Sequence, residues 1–166
     1  MIQLLGTPDK MLTTIYRRLA ELHLPTNLLC DHICYRVADA HRYENLQSGL
    51  KTYGELISEA VIGGRPISTF HLREPYRFQG NNIDCIELPS PKPGSSYPEG
   101  WEHAEFVTGE PLPVFIARHP HVAFKTTHIN KAHNPDVSIA IAQGITAKFH
   151  AEPLLEVIRK EKALEL

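Results

Sequence analysis

A chain of 166 residues, 42% apolar and 22% charged, has the make-up of one soluble globular domain or two small modules sharing a core. A formal net charge of −2 with no long run of like charge argues against a nucleic-acid groove or an anionic membrane surface as partner. Three cysteines (Cys30, Cys34, Cys85), odd in number and without CxxC spacing, argue against a disulfide framework. With no leader pattern and no membrane-length apolar run, they make a cytoplasmic protein the expectation.

In chain order, Thr7-Pro8-Asp9 predicts a helix start, with Thr as N-cap, Pro at the first helical position and Asp at the positive end of the dipole. Met11, Leu12, Ile15, Leu19 and Leu22 follow at helical spacing, and Pro25 ends the helix. Cys30–Val37 is predicted as a strand and Asp39–Tyr53 as a helix closed by Gly54. Strands are then expected at Glu55–Ile62, Pro66–Arg73 and Asn82–Leu88, with Gly63-Gly64 turning between the first two. The Pro/Ser/Gly-rich stretch PSPKPGSSYP is the expected linker. The order then repeats: a strand at Trp101–Thr108, a short helix at Leu112–Arg118, and strands at Val122–Asn130, Val137–Ala142 and Ile145–His150. A final helix follows at Pro153–Glu165, with Leu154, Val157, Ile158 and Leu164 apolar. The expected architecture is α+β, two β-α-β-β-β modules forming a cupped mixed sheet with extra terminal helices. Its divisions are an N-terminal helical extension (1–28), a first module (29–90), a linker (91–99), a second module (100–152) and a C-terminal helix (153–166).

Chemistry concentrates on strands that match between the modules. DHICYRV and EHAEFV both open with an acidic residue and a histidine, about 70 residues apart, aligning Asp31 with Glu102 and His32 with His103. Alternation puts His32, Cys34 and Arg36 on one face, Cys85 and Glu87 on another, then His103 with Glu105, and Thr146 with Lys148 and His150. Polar faces of this kind must line something solvated or liganded. Because imidazole is the commonest metal ligand, a shared metal site between His32 and His103 is the leading reading. Cys34 and Cys85 read as small core residues. His71 has the parity to face the cavity, His23 and His41 lie at helix ends, and His119, His121, His128 and His133 lie near loops.

The arrangement resembles the vicinal oxygen chelate superfamily, which includes glyoxalase I, methylmalonyl-CoA epimerase, extradiol dioxygenases and bleomycin-resistance proteins. More closely, the chain resembles the superfamily's YecM-like branch through DHICYRV, GGRPISTF, CIELPSPKPGSSYPEGWEHAEFV and KFHAEPLLEVI. The resemblance implies a divalent metal held by the first and last strands of each module. Carried over, the ligands are His32, Glu87, His103 and His150; the last is usually glutamate, with Glu152 the alternative. Such a set suits Zn²⁺, Ni²⁺, Co²⁺ or Fe²⁺, and without His150 it becomes the two-histidine, one-carboxylate set of Fe²⁺ enzymes. Glu105 is the candidate catalytic base or a partner orienting a ligand histidine, and Arg36 and Lys148 are candidates for binding an anionic substrate group.

The function expected is therefore a divalent-metal-binding protein, an isomerase, epimerase or lyase that chelates a small oxygenated substrate, as monomer or homodimer. An Fe²⁺ dioxygenase-like enzyme and a metal-free sequestering protein are the alternatives.

Overall fold

The computed structural model describes residues 1–94, 98–132 and 134–164. A short helix α1 (Ile2–Leu5) precedes α2 (Asp9–Glu21). Pro8, expected as the first helical residue, is the N-cap of α2, and the Thr7 hydroxyl just before it accepts the Asp9 amide at 3.2 Å. The first unit comprises β1 (Leu29–Arg36), α3 (Ala40–Leu50), β2 (Gly54–Ile62), β3 (Arg65–Phe78) and β4 (Asn81–Pro89). Asp39 caps α3, its carboxylate accepting the Arg42 amide at 2.7 Å. The second unit comprises β5 (Gly100–Val107), α4 (Leu112–Arg118), β6 (Val137–Ala142) and β7 (Ile145–His150), and α5 (Leu154–Leu164) closes the chain.

The strands form one seven-stranded mixed sheet in the order β2-β3-β4-β1-β5-β7-β6. The order is approximately symmetric about its centre, where β1 and β5 run antiparallel, and each pairs in parallel with the last strand of its own unit, β1 with β4 and β5 with β7. The segment expected as a strand at Val122–Asn130 does not form one. It keeps a single antiparallel bridge to β6, Lys125 with Ser138, and then closes on itself through bonds such as the Ile129 amide to the Thr126 carbonyl at 3.1 Å. Only Val122 of this segment is buried, and the exposed run Lys125–His128 offers no apolar face to a sheet. A loop therefore stands where symmetry would put an eighth strand.

The apolar strand residues pack under the helices. Phe106 of β5 and Phe149 of β7, both fully buried, meet Phe115 of α4 and Tyr16 of α2, with ring centroids 5.2 Å apart for Phe115–Phe149 and 5.7 Å for Tyr16–Phe106. Burying each such side chain is worth roughly 1.5–3 kcal/mol. This packing holds the opposite, polar face of the four central strands in a fixed frame.

A candidate metal centre at the middle of the sheet

Four central strands carry two rows of functional side chains. His32 pairs with Cys85 on β4 and Glu105 on β5, and Glu105 pairs in turn with Lys148 on β7. One step along, Cys34 pairs with Glu87 and His103, and His103 with Thr146. The approximate two-fold thus exchanges His32 with His103, Cys34 with Glu105, and Glu87 with Lys148.

Ligand atoms of His32, Glu87, His103 and Glu105 lie within 4.8 Å of one another. Glu105 Oε1 is 3.4 Å from His32 Nε2 and 3.1 Å from His103 Nε2, while Glu87 Oε2 is 3.8 and 3.9 Å from the same two nitrogens. Despite this proximity both Nε2 atoms are buried without a properly formed hydrogen bond. Buried ring nitrogens are seldom left so, which makes the pair an observation that a ligand would explain. Glu87 retains some exposure while the other three are buried, so access comes from the Glu87 side.

A local irregularity fixes the tautomer of His32. The register of β1 against β5 slips between Cys30 and His32 and again between Cys34 and Tyr35. The extra residue is Asp31 in the first slip and Glu102 in the second. The acidic member of each acidic-His pair is thus a β-bulge residue, and a bulge re-aims a side chain that alternation would send to the other face. Asp31 Oδ2 consequently lies 2.9 Å from His32 Nδ1 and also accepts the Leu154 amide, at 2.9 Å, from the start of α5. With Nδ1–H donated to Asp31, Nε2 is the His32 nitrogen left to face the site, free to ligate once its proton is lost, the arrangement a metal-ligating histidine needs. On the other side Glu102 lies 3.9 Å from His103 Nδ1 and 3.6 Å from Arg36.

Charge is tightly coupled. Burial disfavours the His32 imidazolium, but Glu105 and Asp31 outweigh it and hold His32 well above its ordinary value. His103 is lowered, by burial first and then by the Lys148 ammonium. Burial alone would raise Glu105, yet Lys148 and His32 hold its carboxyl well below the ordinary range. Lys148 Nζ donates to Glu105 Oε1 at 2.8 Å and is itself held above its ordinary value by Glu105 and Glu87 against the cost of burial.

Of the residues singled out in the sequence, His32, Glu87, His103 and Glu105 are brought together, with Lys148 touching the group. His150 lies beside it in a different one: buried at the end of β7, its ring packs edge-on to His32 at 5.6 Å, with Nε2 3.6 Å from Asp31. The register puts Lys148, two residues earlier, at the position equivalent to Glu87. Glu152 is paired with Lys160. Arg36 donates to the Pro98 carbonyl at 3.1 Å and lines a separate cavity with Thr7, Lys10 and Trp101. Cys34 and Cys85 are buried and burial pushes both thiols up. His23, His41, His71, His121 and His128 are exposed, and His119 is half-buried; His133 lies outside the described residues, as do residues 95–97 of the expected linker and the last residues of the final helix. Among the described residues, no helix is long and apolar enough to cross a membrane.

Sequence reading missed the partnership of Asp31 with His32 and the opposition of Lys148 to Glu105. The signal for the second was present: matching Ile86 and Leu88 with Ala147 and Phe149, the buried positions of the parallel strands, aligns Glu87 with Lys148.

Comparison with known proteins bears on the fold and the family. Among solved structures, the structural-genomics target Protein EC4020 is similar, with a TM-score of 0.77 and 29% identity over 92% of this chain and 87% of that one. Streptomyces coelicolor methylmalonyl-CoA epimerase in complex with 2-nitronate-propionyl-CoA shares the fold at a TM-score of 0.55 and 15% identity, over 76% of this chain and 99% of its own. An uncharacterized protein of Haemophilus influenzae is 38% identical over 78 residues, 46% of this chain and 40% of that protein. Protein YecM of Escherichia coli (strain K12) is 32% identical over 152 residues, 83% of this chain and 81% of its own. The family described as YecM protein matches residues 2–161, and this chain, with its vicinal oxygen chelate fold, belongs to that family.

Proposed function

We propose that the protein is a divalent-metal-dependent enzyme of the isomerase, epimerase or lyase type that chelates a small oxygenated substrate. The observation that carries this reading is the convergence of two buried, unbonded imidazole nitrogens, His32 Nε2 and His103 Nε2, on the carboxylates of Glu87 and Glu105. Two nitrogen and up to two oxygen ligands suit Zn²⁺, Ni²⁺, Co²⁺ or Fe²⁺ better than Mg²⁺ or Ca²⁺. A cation held there would act as a Lewis acid, stabilising negative charge on a substrate oxygen as a neighbouring proton moves. Asp31 keeps His32 in its binding tautomer. Glu105, held ionised by Lys148 and His32, is better suited to hold a cation than to take a proton from carbon. Lys148 sits at the cavity wall where an anionic substrate group would meet it. Structural neighbours with this fold include methylmalonyl-CoA epimerases with bound acyl-CoA ligands, which supports isomerase chemistry by analogy of fold alone.

The Lys148–Glu105 bond favours one second reading. If Lys148 keeps Glu105 out of the coordination shell, His32, His103 and Glu87 remain, the facial set of non-haem Fe²⁺ oxygenases.

Elemental analysis of protein purified without a histidine tag tests both. One equivalent of metal, lost in His32→Ala and in Glu87→Ala, is expected, and the element bound separates iron-dependent oxygenase from isomerase. Wild-type protein that takes up no Zn²⁺, Ni²⁺, Co²⁺ or Fe²⁺ even when reloaded would overturn them.

A further inference from the structure

Glu87, the part-exposed member of the candidate centre, also lines a slot of about 410 Å³ between the first unit and α5, the size of a small-molecule site. The strand register builds one side of this slot in two rows. Ser58, Thr69 and Glu87 are cross-strand neighbours on β2, β3 and β4, and they continue the row that holds Cys34 and His103. Two residues further along, Ala60 pairs with Ile67, and Val61 and Ile62 finish the wall near the hairpin turn. The other side is α5, which contributes Leu154, Val157 and Ile158, three residues that helical spacing puts on one stripe. The Leu154 amide donates to Asp31, which holds His32, so the stripe and the candidate centre are fixed relative to each other.

The slot is therefore polar where it meets the centre and apolar beyond it. Its charged side chains, Glu87 and Glu161, are both carboxylates, so it offers nothing to an anionic group. At its rim Val61 and Ile62 are 76% and 50% exposed. Large apolar side chains left open around a concave site are the mark of a place that takes up an apolar ligand.

We infer that the substrate carries an uncharged apolar substituent next to its chelating oxygens, an alkyl chain or ring about the size of a leucine or phenylalanine side chain, and that the slot under α5 receives it. This rests on the metal reading above, because the cation is what places the oxygens beside Glu87. The substituent then runs past Thr69 to lie between Ile67 and the stripe of Leu154, Val157 and Ile158. The C-terminal helix is thereby the element that selects the substrate.

The test uses cobalt-loaded protein, whose visible spectrum reports ligands entering the metal shell, and α-hydroxy acids that share one chelating head: lactate, α-hydroxybutyrate, α-hydroxyhexanoate and α-hydroxyadipate. Affinity is expected to rise roughly two- to fourfold per added methylene, which makes α-hydroxyhexanoate roughly tenfold or more tighter than lactate. Calorimetry of the same titrations should show a heat-capacity change that grows more negative with chain length. α-Hydroxyadipate, with a carboxylate at the end of its chain, should keep little of the gain. Val157→Trp, which fills the slot, and the double variant Val61→Asp with Ile62→Asp at the exposed rim should flatten the dependence on chain length, with lactate affinity nearly unchanged. Affinity independent of chain length, α-hydroxyadipate bound as tightly as α-hydroxyhexanoate, or a gain untouched by both variants would overturn the inference while leaving the metal centre standing. A wild-type protein with no cobalt spectrum would overturn the metal reading, and this inference with it.

Discussion

Lys148 is the residue whose replacement discriminates most sharply between a metal centre and a polar core. In the metal-free protein its ammonium compensates Glu105, at 2.8 Å, where symmetry would put a counterpart of Glu87. Lys148→Met should therefore act in opposite directions on the empty and the loaded protein. Without metal, Glu105 is left buried with only His32 and His103 beside it, a loss of up to about 3–5 kcal/mol. For a domain of this size that corresponds to a fall in Tm of roughly 10 °C. With metal, the cation replaces the missing ammonium. An ion bound to Glu105 at about 2 Å lies some 4–5 Å from Nζ, and a divalent and a monovalent charge about 4.5 Å apart repel by ~7 kcal/mol at an effective dielectric of about 20. Lys148 is 24% exposed and can swing away, which relieves much of this. A gain of about one decade in affinity, ~1.4 kcal/mol, is the least expected. Competition titration of Zn²⁺ against a chelating dye, with thermal unfolding of empty and loaded protein, measures both effects. Zn²⁺ affinity in Lys148→Met equal to or weaker than wild type would refute the reasoning, because the ammonium would then not be competing with the cation.

Three further outcomes follow from the same geometry. Asp31→Asn removes the charge that fixes His32 and should weaken metal binding about 10–100-fold in the dye titration, with His32→Ala abolishing it. The His32 value is raised by folding, so its proton stabilises the empty protein fully below the ordinary 6.5, and that stabilisation is lost as pH rises through the raised value. Metal competes for the same nitrogen, so affinity should climb over that window, with proton release visible in calorimetry repeated in buffers of different ionisation enthalpy. Gly54→Ala tests the frame: a Cβ there would meet the His71 carbonyl oxygen, a backbone atom, at 2.5 Å, and a destabilisation of about 1–3 kcal/mol by urea unfolding is expected.

Most of the sheet was legible because its strands carry period-two patterns bounded by glycine or proline, and because Asp39 is a good helix cap. The Val122–Asn130 segment misled because Val122 and Phe124 suggest a strand while the exposed Lys125–His128 run gives it nothing to bury. At the site, alternation correctly put Thr146, Lys148 and His150 in one phase but left their level along β7 open. That level is set by pairing with β5, a non-local contact to which a two-residue slip is invisible in parity. Asp31 and Glu102 were legible as a repeat but not as bulges, since a bulge is defined by the partner strand. Only the paired structure shows that Asp31, the acidic residue of the first motif, reaches back to its own histidine.

Anomalous diffraction at the zinc edge, from crystals grown with Zn²⁺, tests the account most directly. The expected result is one peak at about 2.0–2.2 Å from His32 Nε2, His103 Nε2 and a carboxylate oxygen of Glu87, with Glu105 or solvent completing the shell. A peak between Asp31 and His150 instead, or none near His32 and His103, would contradict it.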